Sequence, residues 1–271
     1  FGFRGQSENT AIIEAALAHS RNQLLSKSLE GQVKQILQNE MRARQIEYAT
    51  LVDKDLRIIV NANADRKGEK FDPNNLVSQV LKQRKQISAN QIVSWQELKK
   101  ESPPLPDGLT NQDTVKQGAL IRYTVTPVKD PKTDEVIGAL ISGDIVNGKE
   151  PIVKETLKTF NGGYSAVYLR QPSGEFALVT ALDQGQAANW DQAQSDLPLP
   201  NQSLLEKAVN VGKVGELVTD RQKVGEQTYT MAAKALMNFQ GKPVAVLVRG
   251  TSESNLNAFL TGSLLLQGSI G

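Results

Sequence analysis

The stretch ALIRYTVTPVKDPKTDEVIGALISGDIVNG, Ala119 to Gly148, is read here as two long strands joined by a turn. Leu120 to Lys129 alternates and is rich in Val, Thr, Tyr and Ile. Asp130-Pro-Lys-Thr-Asp134 supplies turn residues, and Glu135 to Val146 is a nearly continuous apolar run. The same plan returns in altered form at Thr228 to Thr251, TYTMAAKALMNFQGKPVAVLVRGT: a strand, a turn at Asn238 to Pro243 built on Gly241, then the apolar strand Val244 to Val248. Two versions of one sheet-bearing module therefore account for most of the chain.

Upstream of the first pair, Tyr48 to Ala64 reads as strand, turn at Asp53-Lys-Asp55, strand. The irregular loop Asp65 to Pro73 leads to Asn74, which can cap a helix from Asn75 to Gln86 with Leu76, Val80 and Leu81 on one face. Ile87 to Trp95 is a short strand or a bend, and Pro103-Pro-Leu-Pro-Asp-Gly108 is loop. Asn147-Gly-Lys-Glu-Pro151 marks the boundary between modules. Beyond it the same order repeats: an amphipathic helix, Ile152 to Phe160, stopped by Asn161-Gly-Gly163; strand, turn, strand from Tyr164 to Leu182 with Pro172-Ser-Gly174 at the turn; a helix from Asn201 to Val209; and a strand near Gly215 to Thr219. Ser252 is a fitting N-cap for a last helix carrying Leu256, Phe259, Leu260, Leu264 and Leu265. The fold expected is α+β, with two tandem antiparallel sheets and helices flanking each.

From Ser7 to Glu47 apolar residues recur at helical spacing, with Gly31 as the one interruption and no Pro. That predicts one N-terminal stalk helix of about 40 residues, roughly 60 Å long. The spacing also fits a dimer seam. His19, the sole histidine, falls inside this helix at a surface or seam position.

Composition removes many functions. There is no Cys and a single His, so thiolate catalysis, disulfides and Cys/His metal sites are excluded. The 31 Lys and Arg against 29 Asp and Glu leave a net charge of +2, which argues against a nucleic-acid binder. Asp130 and Asp134 lack the spacing of a calcium loop, and Gly162-Gly163 stops a helix rather than cradling a phosphate, so no metal and no cofactor is expected. No catalytic triad assembles around His19, and the chain is read as not an enzyme. No run of about 18 apolar residues is present to span a membrane. The start at Phe1-Gly-Phe without an initiator Met suggests a piece of a longer protein.

The N-terminal helix, the first strand pair with Arg66-Lys-Gly68 and Phe71, the run Arg122 to Asp130 and then Val136 to Asp144 together resemble the extracytoplasmic double-Cache sensor domains of bacterial chemoreceptors and sensor kinases, whose modules are PAS-like. The resemblance covers essentially the whole chain. It implies a stalk helix at residues 1–47, a membrane-distal module at 48–148, a membrane-proximal module at 149–251 and a helix at 252–271 descending to a transmembrane segment. It further implies a receptor on the periplasmic side of the inner membrane, held by transmembrane helices outside this chain and dimeric through the stalk. A small polar ligand, an amino acid or organic acid, would sit in the first module. Ligand contacts map onto Arg122, Tyr123, Asp144, Asn61 and Asn63; the Arg-x-Trp-Tyr element of amino-acid-sensing members is absent from this sequence, and Trp95, in Val-Ser-Trp-Gln, is a poor stand-in for its tryptophan. Arg122 can clamp a carboxylate through two parallel hydrogen bonds and Asp144 can pair an ammonium group. Tyr164, Tyr168, Tyr229 and Arg249 are candidates for a second pocket, although tyrosines in strands also pack as core. Two other functions stay open: a surface adhesin or assembly module without a small ligand, and an extracytoplasmic hydrolase with coupled carboxylates.

Overall fold

Both strand pairs close antiparallel sheets, and the chain divides between Ile145 and Val146 into two compact units. The computed structural model describes residues 5–105, 118–185, 190–211 and 215–253. The helix expected at 252–271 lies outside these residues apart from its start, where Ser252 ends a strand.

The first unit runs α1 (Thr10–Ser20), α2 (Lys27–Arg44), β1 (Tyr48–Asp53), β2 (Ile58–Asn61), α3 (Leu76–Gln83), β3 (Ile87–Val93), α4 (Trp95–Glu101), β4 (Ala119–Lys129) and β5 (Val136–Ile145). Its strands stand in the order β2-β1-β5-β4-β3. β5 is central and buried along almost its whole length, which is why it reads as an apolar run rather than an alternation. β4, one place nearer the edge, alternates and exposes Arg122. The period of two sorts the side chains onto two faces. Ala49, Leu51 and Leu140 join α1 and α2 in one core with Ile12, Ala15, Val33, Leu37 and Met41. Tyr48, Thr50 and Tyr123 belong to the opposite face.

The single stalk helix is not what forms. The chain breaks at Arg21 to Ser26 because both signals for a break are present. Asn22 takes the left-handed conformation at φ 55°, its N–H donates to the His19 carbonyl at 3.0 Å, and the Gln23 N–H donates to the Ala18 carbonyl at 2.9 Å. This is a Schellman stop. Ser26 then starts α2 by accepting the Leu29 N–H at 3.1 Å. Both helices lay apolar residues into the same core, burial that one straight rod of this length could not achieve over so short a sheet. His19 also differs from its expected surface or seam role: its Nδ1 lies 2.9 Å from the Asp53 carboxylate, tying the end of α1 to the β1–β2 turn. The other Asp53 oxygen takes the N–H groups of Asp55 and Arg57, at 2.8 Å each.

Two further elements differ from the sequence reading. α3 is shorter than expected, because Asn74 and Asn75 are both left-handed and the cap comes from Asp72, whose carboxylate accepts the Val77 and Ser78 N–H groups at 2.9 and 3.2 Å. Residues 95–101 form a helix, α4, capped by Ser94, which accepts the Glu97 N–H at 3.2 Å.

The second unit runs α5 (Glu150–Thr159), β6 (Gly163–Arg170), β7 (Phe176–Gly185), β8 (Gln194–Ser195), α6 (Ser203–Asn210), β9 (Val218–Val224), β10 (Gln227–Met237) and β11 (Pro243–Ser252). The order β7-β6-β11-β10-β9, with β8 added at the edge, matches that of the first sheet strand for strand. Even the register repeats: Tyr48 lies opposite Gly143, and Tyr164 opposite Gly250. Tyr164, Tyr168, Leu204, Leu205, Met231 and Val246 form its core.

Candidate functional site

A cavity of about 350 Å³ opens on the Tyr48 face of the first sheet. Strand parity supplies its floor. Tyr48 on β1 and Tyr123 on β4 flank Gly143 of β5, and their rings meet edge to face with centroids 6.0 Å apart. The Tyr48 hydroxyl donates to that of Tyr123 at 2.6 Å. Two hydroxyls joined by one bond hold one more proton, and no acceptor takes it among the described residues. Burial pushes both phenols well above their ordinary range, so at neutral pH they are donors and not phenolates.

The wall is a buried ionic cluster. Arg66 and Glu101 are 6% and 3% exposed and pair directly through Nη1 and Oε1. The second Glu101 oxygen accepts Asn61 Nδ2 at 2.7 Å, and the same nitrogen is 2.9 Å from Thr50 Oγ1. Asn61 Oδ1 takes the N–H groups of Asn63 and Ala64, at 2.9 Å each. Asn61 thus fixes both the carboxylate and the start of the 62–70 loop. On its other side the Arg66 guanidinium meets Glu69: Nε and Nη2 each lie 2.9 Å from one carboxylate oxygen. Its planar face lies over Phe71, 5.5 Å from the ring centroid. Burial pushes the Glu101 carboxyl up; Arg66 and the Asn61 amide offset this only in part. Asn74, Ile92, Leu98 and Lys100 also line the space, so its chemistry is mixed: an aromatic and aliphatic floor with paired charges at one wall.

The six residues taken from the resemblance do not form one group. Tyr123 lines the cavity and Asn61 stands behind its wall. Arg122, the neighbour of Tyr123, points to the other face because adjacent strand residues alternate. There its Nε donates to Asp144 at 2.7 Å, beside a separate cleft of about 570 Å³ lined also by Ser88, Asn90, Thr124 and Ser142. Asn63 donates to the Glu47 carbonyl at 2.9 Å. Trp95 opens α4 with Lys99 over its ring at 5.3 Å and is not among the lining residues. Tyr48, Arg66, Glu69 and Glu101 line this cavity and were not among the ligand contacts expected from the resemblance. β1 is buried on both faces and carries no alternation, so nothing local marked Tyr48, whereas the Ser94-x-x-Glu97 spacing, a capping box, signalled the helix that ends in Glu101.

In the second unit the corresponding groups are engaged by the chain itself. Tyr164 donates to the Leu197 carbonyl at 2.8 Å, Tyr168 accepts the Leu199 N–H at 2.7 Å, and Tyr229 donates to Asp183. Arg249 is spent on the carbonyls of Gly162, Tyr164 and Gly250. Burial pushes the Asp183 carboxyl up, against the pull of Tyr229 and the Gly185 N–H. A carboxyl raised in the folded state holds its proton to higher pH than the unfolded chain does. Its contribution to stability is therefore present below about pH 4 and lost as pH rises through the folded value. Asp183→Asn keeps an acceptor for Tyr229 and should flatten that decline in chemical denaturation measured across acidic to neutral pH; an unchanged slope would exclude Asp183 as its source.

Two antiparallel sheets thus repeat one strand order, and a polar and aromatic cavity opens on the first. The model of the dCache_3 family, the double sensory domain of two-component sensor kinases, matches residues 3–252, and the chain belongs to this family. Among solved structures, the sensor domain of the histidine kinase DctB of Vibrio cholerae is similar at 11% identity and TM-score 0.43, over 90% of this chain and 84% of that one. The periplasmic domain of Vibrio cholerae LuxQ is similar at 12% identity and TM-score 0.42, over 91% and 88%. The ligand-binding domain of the Campylobacter jejuni chemoreceptor Tlp3, in complex with 4-methylisoleucine, is similar at 11% and 0.45, over 94% and 85%. No curated protein matches the chain. Among the described residues no helix is long and apolar enough to cross a membrane.

Proposed function

We propose that the chain is the extracytoplasmic sensing part of a membrane-anchored signalling receptor, and that its first unit binds a small polar ligand, an amino acid or a small carboxylate, in the Tyr48–Tyr123 cavity. The observation that carries this reading is the contrast between two sheets of the same order. In the second the tyrosine hydroxyls are closed off by the chain's own carbonyls, N–H groups and Asp183, whereas in the first the tyrosine pair keeps an unused donor facing a cavity of ligand size. Transmembrane helices outside this chain anchor the receptor in the inner membrane, and a second copy meets it through the N-terminal helices. Ligand binding shifts the first unit between two states by no more than its difference in affinity for them.

A thermal-shift screen against amino acids, organic acids, amines and purines tests the reading, because a ligand that binds only the folded chain raises its melting temperature. Tyr123→Phe removes the spare hydroxyl and should weaken any hit by about 3- to 10-fold, the worth of one hydrogen bond. A screen with no shift, or hits indifferent to Tyr123→Phe, would remove the cavity from consideration.

A further inference from the structure

We infer that Glu69 is a built-in stand-in for the ligand: its carboxylate occupies the side of the Arg66 guanidinium that a ligand carboxylate takes, and binding exchanges one for the other. This rests on the cavity being the sensing site, and it assigns the ligand's carboxylate to the Nε and Nη2 side of Arg66.

The geometry distinguishes the two acids on Arg66. Glu101 is buried, is held from behind by Asn61, and keeps the arginine charge compensated at Nη1. Glu69 is 50% exposed and sits on a turn, three residues along the chain from Arg66. It takes Nε and Nη2, the paired donors that match the two oxygens of a carboxylate, yet it meets both with a single oxygen. A ligand carboxylate able to offer both oxygens makes the better partner. The exchange is neutral in charge, since one carboxylate leaves as another arrives. Its cost is small on the protein's side, because Glu69 is already half in water while Arg66 never loses Glu101. The turn itself is held without the Glu69 side chain: the Glu69 N–H donates to the Arg66 carbonyl at 3.1 Å, the Gly68 N–H to the Ile58 carbonyl at 2.8 Å, and Lys67 reaches Glu30 of α2 at 2.7 Å. Phe71 under the guanidinium and the Tyr48–Tyr123 pair, which line the same cavity, then suit a short organic body beside that carboxylate.

Calorimetry on the purified chain with butyrate, L-valine and butylamine at millimolar concentration tests this. Butyrate and L-valine are expected to bind and butylamine is not. Glu69→Gln should tighten both carboxylates by about fivefold, the upper worth of a half-exposed ion pair, and the same loss should lower the melting temperature of the free chain by about 2–4 °C. Arg66→Lys keeps the charge but not the paired donors and should weaken both carboxylates. Unchanged carboxylate affinity in Glu69→Gln overturns the inference, as does absence of binding by all three probes in the wild type and the variant. If butylamine binds instead and Tyr123→Phe weakens it, the cavity remains the sensing site and only the carboxylate exchange falls.

Discussion

Arg66→Met is expected to destabilise the first unit by about 3–5 kcal/mol near neutral pH, the usual cost of stranding one partner of a buried ion pair. The stranded group is Glu101, 3% exposed and left with Asn61 as its polar partner on that wall. The penalty carries a pH signature. Arg66 is the main influence holding the Glu101 carboxyl down against burial, so its removal raises the folded pKa further. A carboxyl raised on folding stabilises fully below its unfolded value, about pH 4, and that contribution disappears as pH climbs through the folded value. Denaturant titrations should therefore show the variant close to wild type near pH 4 and much weaker near pH 7. Adding Glu101→Gln should recover most of the loss, since a neutral amide costs far less to bury than a carboxylate. A penalty independent of pH would mean that Arg66 matters for packing on Phe71 and not for charge.

Gly143→Val should be nearly as damaging. A Cβ at this position would lie 2.1 Å from the Tyr48 ring, well inside contact distance, and the strand is central, with β1 and β4 on either side, so the backbone has nowhere to move. Overpacking of this kind costs about 3 kcal/mol and should lower the melting temperature by roughly 10 °C. The effect reaches the site as well. Tyr48 must swing off β5, which breaks its 2.6 Å bond to Tyr123 and fills or opens the cavity floor. A variant that melts like wild type, or that keeps its ligand affinity, would show that the tyrosine pair does not depend on the close approach at Gly143.

The two predictions also show which kinds of feature could be read from the chain. The hairpins were legible because their residues satisfy local rules: alternation in β4, a continuous apolar run in the central β5, and turn residues between them. The break between α1 and α2 was legible in principle, since Asn22 and Ser26 are a stop and a start. It was overridden by a periodicity that both helices share. Arg122 illustrates the opposite limit. As a strand arginine near an aspartate it has the chemistry of a ligand clamp, yet its parity places it with Asp144 on the face away from Tyr48, outside the cavity.

What the sequence by itself determined is the repeated order of the elements and the exclusion of thiolate and Cys/His metal chemistry, because these follow from residue types and short-range spacing. Only the tertiary structure decided which polar residues meet. Glu101 comes to Arg66 and Asn61 from 35 and 40 residues away, and Tyr48 to Tyr123 across 75. Such contacts are set by sheet order and strand parity acting together, and a shift of one residue would have sent each side chain to the other face.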